Sequence, residues 1–595
     1  MFSLEDHELN DEQRAAITED GNVFLNACPG SGKTRTLTFK IAYELTRLKS
    51  EKQFIVAITY THRAADEIHE RVERLGIDTS NLWIGTIHSF CLEWILKPYA
   101  VYHAKLRYGF RVIDPHDKEE LLTELCASYQ HIQYRDCEFY FEKTKCVLSS
   151  RDTWKHADLR TILGRYFKRL HANRQIDFEL ILFYAHQLLE RNSSISVLLS
   201  SLFSRILIDE YQDTKSIQYD IVASILKAGK GNTGLFIVGD PNQAIFASLG
   251  GFAITAADLQ AMAAIELKEM SLSRNYRSSG RIIKYFGNYN VAPAVIEAAG
   301  SIKAYPSLIT YNQHIPRSQL EDELVRLIRY NVNIAGITPH EICVVAPWWT
   351  HLASMTRRLI ARMPEYRFDG PGTVPFARDL NNFWYKVSKI ALTEPSPSMY
   401  VTRLRWAGDV LAELHDAGLD VSRLTRKLLL RECNSIELAE TDGLTYLREF
   451  FGLLLSRIGL DFDASPLLAE HHDAFFASSL ARIERLKKEG SESLSDITMF
   501  RQVFAARTGI TVSTIHGVKG AEYDAVIAYG LLQGMVPHVN DGEESARKLL
   551  YVICSRAKKN LHLISETGRA KSRREGDYQP TNQLANCMFR YDKLA

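Results

Sequence analysis

The chain alternates short apolar runs with longer segments of helical periodicity. The runs end in Gly, Ser, Asp or Thr and have the composition of strands buried on both faces of a parallel sheet. They lie at residues 21–28, 54–59, 205–209, 235–240, 342–346 and 524–529. Helical patterns at 34–48 and 63–75 follow two of these runs. Because strands that alternate with helices form a sheet covered by helices, the pattern predicts a doubly wound α/β fold.

Two long stretches have a different pattern. Roughly residues 90–200 and 375–505 are rich in Leu, Arg and aromatic residues at helical spacing, as in 399–414 and 444–458. We therefore predict two α/β lobes, each of parallel-sheet type, with two mainly helical inserted subdomains. The predicted boundaries are 1–90 plus 202–274 for the first lobe, 91–201 for its insertion, 275–374 plus 506–595 for the second lobe, and 375–505 for the second insertion.

Composition bounds the class of protein. The chain has 595 residues, which is more than one hydrophobic core can organise, and its 46% hydrophobic and 24% charged content is that of a globular protein. The 72 Lys and Arg residues nearly balance the 71 Asp and Glu residues. Any contact with nucleic acid must therefore come from a local basic surface.

Cysteine spacing and the N-terminal residues indicate the compartment. None of the nine cysteines forms a C-x-x-C pair, which argues against a zinc ribbon, a thioredoxin-like motif or a disulfide framework. The first residues are acidic and polar, and no stretch offers 18 uninterrupted apolar residues. We expect a cytoplasmic protein with buried thiols and no membrane partner.

The strongest local signal is the sequence ACPGSGKT at residues 27–34. It joins a predicted strand to a predicted helix, which is the context of a phosphate-binding P-loop, and it departs from that motif only in Ala27. In such a loop Lys33 reaches the β- and γ-phosphates and the Thr34 hydroxyl ligates Mg²⁺. The alternative is a glycine turn without a ligand. The candidate nucleotide-binding residues here are Ala27, Pro29, Gly30, Ser31, Gly32, Lys33, Thr34 and Arg35.

An apolar run at 205–209 delivers two adjacent carboxylates, Asp209 and Glu210. Successive side chains at the end of a strand point to opposite faces, so we expect Asp209 to hold Mg²⁺ while Glu210 polarises water. Taken alone, an Asp-Glu pair is more often a solvated turn. The P-loop upstream favours the catalytic interpretation.

Further motifs occur in a fixed order along the chain. Together they resemble those of UvrD/Rep/PcrA-like superfamily 1A DNA helicases. They are found at residues 9–13, 59–65, 85–90, 209–213, 238–243, 272–278, 514–523 and 551–557. The resemblance covers both predicted lobes well and the helical insertions poorly.

The resemblance implies that both lobes are RecA-like, that ATP and Mg²⁺ bind between them and that single-stranded or tailed DNA crosses their top. It places Gln13 and Tyr276 at adenine and Glu522 at the ribose. It makes Gln243 a γ-phosphate sensor and makes Arg277 and Arg556 arginine fingers, so that the catalytic set is Lys33, Glu210, Gln243, Arg277 and Arg556. For a single arginine, a surface ion pair is the ordinary alternative.

Polar and aromatic residues match the family positions near the DNA strand. They suit phosphate contacts and base stacking, although a histidine at a strand end is more often structural. The candidate DNA-binding residues are Thr59, Tyr60, Thr61, Thr86, His88, Ser89, Thr514 and His516.

One departure from the family pattern concerns DNA. Ser248 and Leu249 stand where the family has a base-stacking aromatic residue and an arginine. We therefore keep two hypotheses. The first is an ATP-dependent 3′-to-5′ single-stranded DNA translocase or helicase in DNA repair or phage defence. The second is an ATP- and DNA-sensing subunit of a nuclease complex that unwinds little by itself. The length and the reduced second insertion are compatible with compact antiphage chains such as Gabija-type helicase subunits, which act beside a nuclease subunit.

Overall fold

The computed structural model describes residues 4–370, 375–376, 379, 382–488, 495–504, 508–539, 541–572 and 576–594. The chain forms two compact units. The first comprises residues 1–112, 122–348 and 513–595, and the second comprises 113–121 and 349–512. Large parallel sheets combined with many helices confirm the predicted α/β fold class. The four-part division into lobes and insertions stays a prediction.

The first sheet contains six parallel strands and positions the P-loop. In chain order the strands are Val23–Ala27 (β1), Phe54–Thr59 (β2), Leu82–Thr86 (β3), Phe203–Asp209 (β4), Gly234–Gly239 (β5) and Lys268–Leu272 (β6). Their order in the sheet is β6-β1-β5-β4-β2-β3. The central strands are buried almost continuously, as strands covered on both faces must be. The carboxyl ends of β1, β4 and β5 therefore lie side by side.

A second set of parallel strands lies in the same unit. In chain order it consists of Ile309–Asn312 (β7), Ile342–Ala346 (β8), Tyr523–Ala528 (β9) and Ala557–Ile564 (β10). These strands run in the order β7-β10-β9-β8 and pair in parallel. The predicted strands 54–59 and 342–346 agree with the observed bounds, and the others agree within two residues.

Helices surround these strands and fill most of the second unit. The longer ones are Asp11–Thr18 (α1), Lys33–Leu45 (α2), His62–Arg74 (α3), Pro115–Cys126, His156–Ala172, Phe178–Arg191, Ser193–Leu202, Ser216–Gly229, Ala256–Ala263, Gly280–Phe286, Leu320–Arg329, Trp349–Arg362, Phe383–Ala391, Tyr400–Asp416, Arg426–Asn434, Gly443–Ile458, Pro466–Lys488, Ile497–Gln502 and Glu543–Cys554, and the short ones are Ile87–Phe90, Lys97–Tyr99 and Asn582–Ala585. No helix in the described part of the chain is both long and apolar enough to cross a membrane.

Short strand pairs complete the structure. They are Arg111–Val112 with Gln175–Ile176, Phe139–Glu142 with Lys145–Leu148, Arg274–Asn275 with Glu297–Ala298, Phe368–Asp369 with Ile510–Thr514, and Ala570–Ser572 with Gly576–Asp577. The antiparallel hairpin formed by the second of these pairs lies inside the stretch for which we predicted mainly helix. Its alternating Phe139 and Phe141 are buried, which is the period-2 pattern of a strand with one face in a core.

Because of the buried His562 on β10, we expect the protein to lose stability as the pH falls. Its ring lies 2.9 Å from Asn331 Nδ2, which can only donate, and 2.9 Å from Thr310 Oγ1. The ring is thus a neutral acceptor at Nε2, and burial lowers the pKa of His562 to about 3. In the unfolded chain the His562 imidazole has a pKa near 6.5 and binds a proton, whereas in the native protein the ring stays neutral. We expect the free energy of unfolding to fall by about 1.4 kcal/mol per pH unit from this group between pH 6.5 and 3.

Urea unfolding of the wild type and His562→Gln at several pH values in this window measures the effect. Glutamine can satisfy both neighbours without titrating, so its stability should depend less steeply on pH. Equal pH slopes for the two proteins would contradict the prediction.

Candidate nucleotide and DNA site

The P-loop joins the end of β1 to the start of α2, and glycine is required at two of its positions. Gly30 and Gly32 have φ values of +69° and +83°, which a side chain rarely adopts. A methyl group at Gly30 would lie 2.5 Å from Arg277 Cβ, and one at Gly32 would lie 2.8 Å from Gln13 Nε2. The loop leads into the N-terminus of α2, where backbone N–H groups can bind an anion, and other motifs pack directly against the loop. Ala27, which replaces the usual glycine, is buried at the end of β1.

The segment that follows β6 is bonded to the P-loop backbone. Asn275 Nδ2 donates to Pro29 O at 2.6 Å, and the Tyr276 N–H donates to Gly30 O at 2.9 Å. Residues that are about 245 positions apart in the chain thus form one piece of structure at the phosphate-binding loop.

The predicted carboxylates lie at the end of β4. Asp209 is the last residue of the strand, whereas Glu210 has a left-handed φ of 54° and so does not continue the strand's alternation as we had expected. This conformation, which costs about 1–3 kcal/mol, turns Glu210 so that its Oε2 lies 3.7 Å from Lys33 Nζ. Burial and the neighbouring Glu210 raise the pKa of Asp209. Burial opposes ionisation of Glu210 as well, but Lys33 and Lys519 outweigh it and hold the pKa of Glu210 below its usual range.

These side chains fit a divalent cation bound with a nucleotide. The buried Asp209 and Asp240 and the half-buried Glu210 place three carboxyl groups near the ammonium of Lys33, and burial raises the pKa of Asp240 as well. Thr34 lies in the first turn of α2, beside the loop. A carboxylate, a hydroxyl and substrate phosphates are the oxygen ligands that Mg²⁺ prefers. Thr34 and Asp209 are the residues that would hold it.

Gln243 and Arg556 meet at the same place. Gln243 lies in a 3₁₀ turn after β5, donates from Nε2 to Asp240 at 2.7 Å and accepts from Arg556 Nη2 at 2.8 Å. Arg556 is only 2% exposed, and its other hydrogen bonds go to two backbone carbonyls and a serine hydroxyl. Burial lowers the pKa of Arg556 to about 9, with Arg277 adding to the effect. A buried cation bonded only to neutral acceptors is stabilised when an anionic phosphate approaches.

Arg277 has a carboxylate partner in this structure. Its Nε donates to Glu522 Oε2 at 2.6 Å and its Nη1 donates to Ser555 O at 3.3 Å. Burial raises the pKa of Glu522, but Arg277 and Lys558 reverse this and leave it below the usual range. The residue that we expected at the ribose thus lies beside one of the expected arginine fingers.

The expected adenine-binding residues lie at the other side of the P-loop. Gln13 is buried in α1 and donates from Nε2 to Ser31 O at 2.9 Å. The Tyr276 hydroxyl accepts from Asn10 Nδ2 at 2.8 Å, and 42% of Tyr276 is exposed, which leaves a ring face for stacking. Arg35 is exposed on α2.

The hydroxyls expected on the DNA path lie at the ends of two paired strands. Thr59 on β2 is directly opposite Thr86 on β3. Thr61 caps α3 and Thr86 caps the helix Ile87–Phe90, where it accepts from the Ser89 N–H. These side chains therefore stabilise helix starts as well as lining this edge of the sheet.

Aromatic rings extend this edge. Tyr60, which is 46% exposed, stacks on Phe246 with centroids 5.2 Å apart, and Phe246 contacts His516 at 5.3 Å. Thr514 lies just before His516 and accepts from the Gly517 N–H. We call Tyr60, Phe246 and His516 the aromatic stack.

His88 faces the interior. Its Nε2 has no hydrogen-bond partner among the described residues, burial lowers the pKa of His88 to about 3, and the ring contacts Phe178 edge-on at 5.5 Å. A cavity adjoins it. The residues that line this cavity are Ile58, Thr59, Tyr60, Thr86, Ile87, His88, Ile208, Asp209, Thr214, Gln218 and Val222.

Three residues in contact with the site had no role in our sequence hypothesis. The motifs found in the sequence contain or adjoin Asp213, Phe246 and Lys519. This position in the chain was the only sequence signal that these residues belong to the site. Asp213 and Lys519 form an ion pair although they are 306 residues apart. No local pattern predicts such a contact.

We expect a substitution that removes the Tyr60 ring to lower the affinity for DNA. A stacked base contributes about 1–3 kcal/mol, so Tyr60→Ala should raise the Kd for an oligo-dT strand by roughly 5–150-fold, while Tyr60→Phe, which keeps the ring, should bind nearly as the wild type does. Fluorescence anisotropy with a labelled strand measures this. Equal affinity of Tyr60→Ala and Tyr60→Phe would exclude Tyr60 from the strand-binding surface.

Comparison with known proteins finds two matching families. The UvrD/REP helicase N-terminal domain matches residues 9–255 and the UvrD-like helicase C-terminal domain matches residues 477–568. The ATP-dependent DNA helicase PcrA of Staphylococcus epidermidis is 25% identical over 659 aligned positions, covering 97% of this chain and 86% of the relative. PcrA of Staphylococcus aureus is 24% identical, with 98% and 86% covered. The two matched regions include the P-loop, Glu210, Gln243 and Arg556.

Proposed function

Because the chain belongs to the UvrD/Rep helicase family and is an ATP-hydrolysing DNA helicase, we propose that it moves along single-stranded DNA from 3′ to 5′. We further propose that it opens tailed duplexes in DNA repair or phage defence. The direction follows from the family resemblance of its motifs. The strand is bound along the carboxyl ends of β2 and β3 and at the aromatic stack.

One observation carries the proposal. Lys33 and Glu210 at 3.7 Å, and Gln243 and Arg556 at 2.8 Å, surround a single phosphate-binding loop although the chain positions span more than 500 residues. The set contains a phosphate-binding cation, a carboxylate, a polar sensor and a guanidinium. These are the groups that phosphoryl transfer to water requires.

In the proposed mechanism each residue has one task. Lys33 and the loop N–H groups bind the β- and γ-phosphates, and Gln13 and Tyr276 orient the adenine. Glu210, which is held ionised, accepts a proton from the attacking water. Mg²⁺, bound by Thr34 and Asp209, would neutralise phosphate charge when present.

The arginines act at the transition state. Arg556 exchanges its neutral acceptors for the oxygens of the transferred phosphoryl group, and Arg277 does the same when it leaves Glu522. Gln243 touches Arg556 and therefore senses this exchange. Because these groups lie on different motifs, hydrolysis is coupled to closure of the site.

A second candidate function is supported by Ser248 and Leu249. The chain offers no ring at position 248, where the family has a base-stacking aromatic residue. A protein that grips DNA less firmly could use ATP as a state signal for a nuclease subunit, with little unwinding of its own. This second candidate hydrolyses ATP at the same site as the proposed translocase, but it unwinds little DNA.

Hydrolysis and strand displacement, measured together, test both candidates. ATPase rates with single-stranded, 3′-tailed, 5′-tailed and blunt DNA are compared with unwinding of the same substrates, with Lys33→Ala as the inactive control. Stimulated hydrolysis with unwinding of only the 3′-tailed duplex supports the translocase. Stimulated hydrolysis without unwinding of any substrate supports the sensor. Preference for the 5′ tail overturns the polarity, and hydrolysis that DNA does not change overturns both candidates.

A further inference from the structure

Lys519 lies between the nucleotide residues and the aromatic stack. Its Nζ is 2.5 Å from Asp213 Oδ2, donates to the backbone O of Gln243 at 2.6 Å and lies 5.3 Å from the centre of the Phe246 ring. The Lys519 side chain is 9% exposed and that of Asp213 is 1% exposed. The ammonium is thus fixed on one side by a buried carboxylate and on the other faces the two ends of the short segment 243–246.

That segment joins the proposed ATP site to the proposed DNA site. Gln243, whose side chain contacts Arg556, begins it, and Phe246, which stacks on Tyr60, ends it three residues later. Three residues span at most about 10 Å, so a shift at one end must be absorbed within a short segment. Lys519 is bonded to one end by a hydrogen bond and attracted to the other by a cation–π contact.

A base that stacks on the Tyr60 face that Phe246 now covers would displace the Phe246 ring. When Phe246 moves, the ammonium loses its contact with the ring and its hydrogen bond to Gln243 is the connection that remains. Lys519 also contributes to keeping Glu210 ionised, since it is one of the cations near that carboxylate. The position of Lys519 therefore affects both the sensor Gln243 and the catalytic carboxylate of Glu210.

We propose that Lys519 is the positioning residue through which strand binding at the aromatic stack sets the position of Gln243 and so accelerates ATP hydrolysis. The inference rests on the proposed function, because it assumes that DNA binds at the stack and that Gln243 acts at the γ-phosphate. It adds a specific route for the stimulation. Asp213 anchors this route through its ion pair with Lys519.

The test removes the connection without leaving a buried charge unpaired. Lys519→Met combined with Asp213→Asn deletes both charges and keeps similar volumes, whereas Lys519→Arg keeps the cation. Lys548→Met is the matched control, because Lys548 pairs with Glu544 on the surface of the helix Glu543–Cys554. For each protein we measure the ATPase rate without DNA, the rate at saturating oligo-dT, the Kd for that strand and the thermal midpoint.

The expected result is a separation of these quantities. The double variant should lose about tenfold or more of the ratio of the stimulated to the basal rate, within the usual range of coupling between sites, while its Kd stays within about threefold. Lys519→Arg should recover at least half of that ratio, and Lys548→Met should match the wild type. Simple destabilisation, in contrast, lowers both rates together.

Three outcomes overturn the inference. The first is full stimulation in the double variant. The second is a basal rate that falls as much as the stimulated one. The third is a loss that disappears when more DNA is added, which would make Lys519 a DNA contact. If the wild type itself is not stimulated by DNA, the proposed function fails and this inference fails with it.

Discussion

Glu210→Gln should lower the maximal ATPase rate by about 10²–10⁴-fold while nucleotide binding persists, because the amide cannot accept the proton from the attacking water. The surroundings of Glu210 support this expectation. Lys33 lies 3.7 Å away and Gln212 donates to the carboxylate, so the group is ionised although it is only partly exposed. The substitution keeps the size of the side chain and the left-handed backbone.

Steady-state hydrolysis at saturating DNA and binding of a fluorescent ATP analogue measure the two effects. Glu341→Gln is the matched control, because Glu341 is also a partly exposed carboxylate paired with a lysine, Lys558 at 2.9 Å. The control should hydrolyse ATP as the wild type does. A Glu210→Gln protein that keeps a tenth or more of the wild-type rate would remove Glu210 from the catalytic set.

Arg556→Lys should lower the stimulated rate by about 10³–10⁵-fold, the range known for arginine fingers, with little change in the KM for ATP. Lysine keeps the charge but has no planar fork, and it is too short to replace the contact with Gln243 and the carbonyl contacts together. The loss should appear in the maximal rate, since the phosphoryl oxygens develop their charge in the transition state.

Arg547→Lys provides the control for this substitution. Arg547 lies on the helix Glu543–Cys554, which ends two residues before Arg556, and it donates to the backbone of Asn290. Rapid-quench measurement of a single turnover separates the chemical step from product release. If Arg556→Lys lowers only product release, Arg556 is not a finger.

Local sequence patterns predicted the parts of the site that depend on neighbouring residues. A strand followed by glycines and then a helix specifies the P-loop within a dozen residues. The observed β1 lies inside the predicted strand, and α2 begins one residue before the predicted helix. The apolar run before Asp209 specifies β4 in the same way. Such elements are determined by periodicity and turn chemistry over a short window.

Other features depend on contacts between distant segments. The ion pair of Lys519 with Asp213 and the bond of Arg277 to Glu522 join residues 306 and 245 positions apart. The left-handed turn at Glu210 overrides the alternation that the strand suggests, because tertiary contacts hold it. The sequence shows which residue types these motifs contain. Which of these residues pair with each other depends on how distant segments of the chain fold around the P-loop.

The bonds from Asn275 and Tyr276 to the P-loop carbonyls have a mechanical consequence. Because Arg277 directly follows these residues, its backbone is connected by these hydrogen bonds to the P-loop that carries Lys33. Arg556 lies just past the end of the helix Glu543–Cys554, and Arg277 Nη1 donates to the backbone of its neighbour Ser555. A displacement of the P-loop backbone is therefore transmitted through residues 275–277 toward both guanidinium groups, which makes the segment after β6 a mechanical link between the phosphate-binding loop and the two arginines.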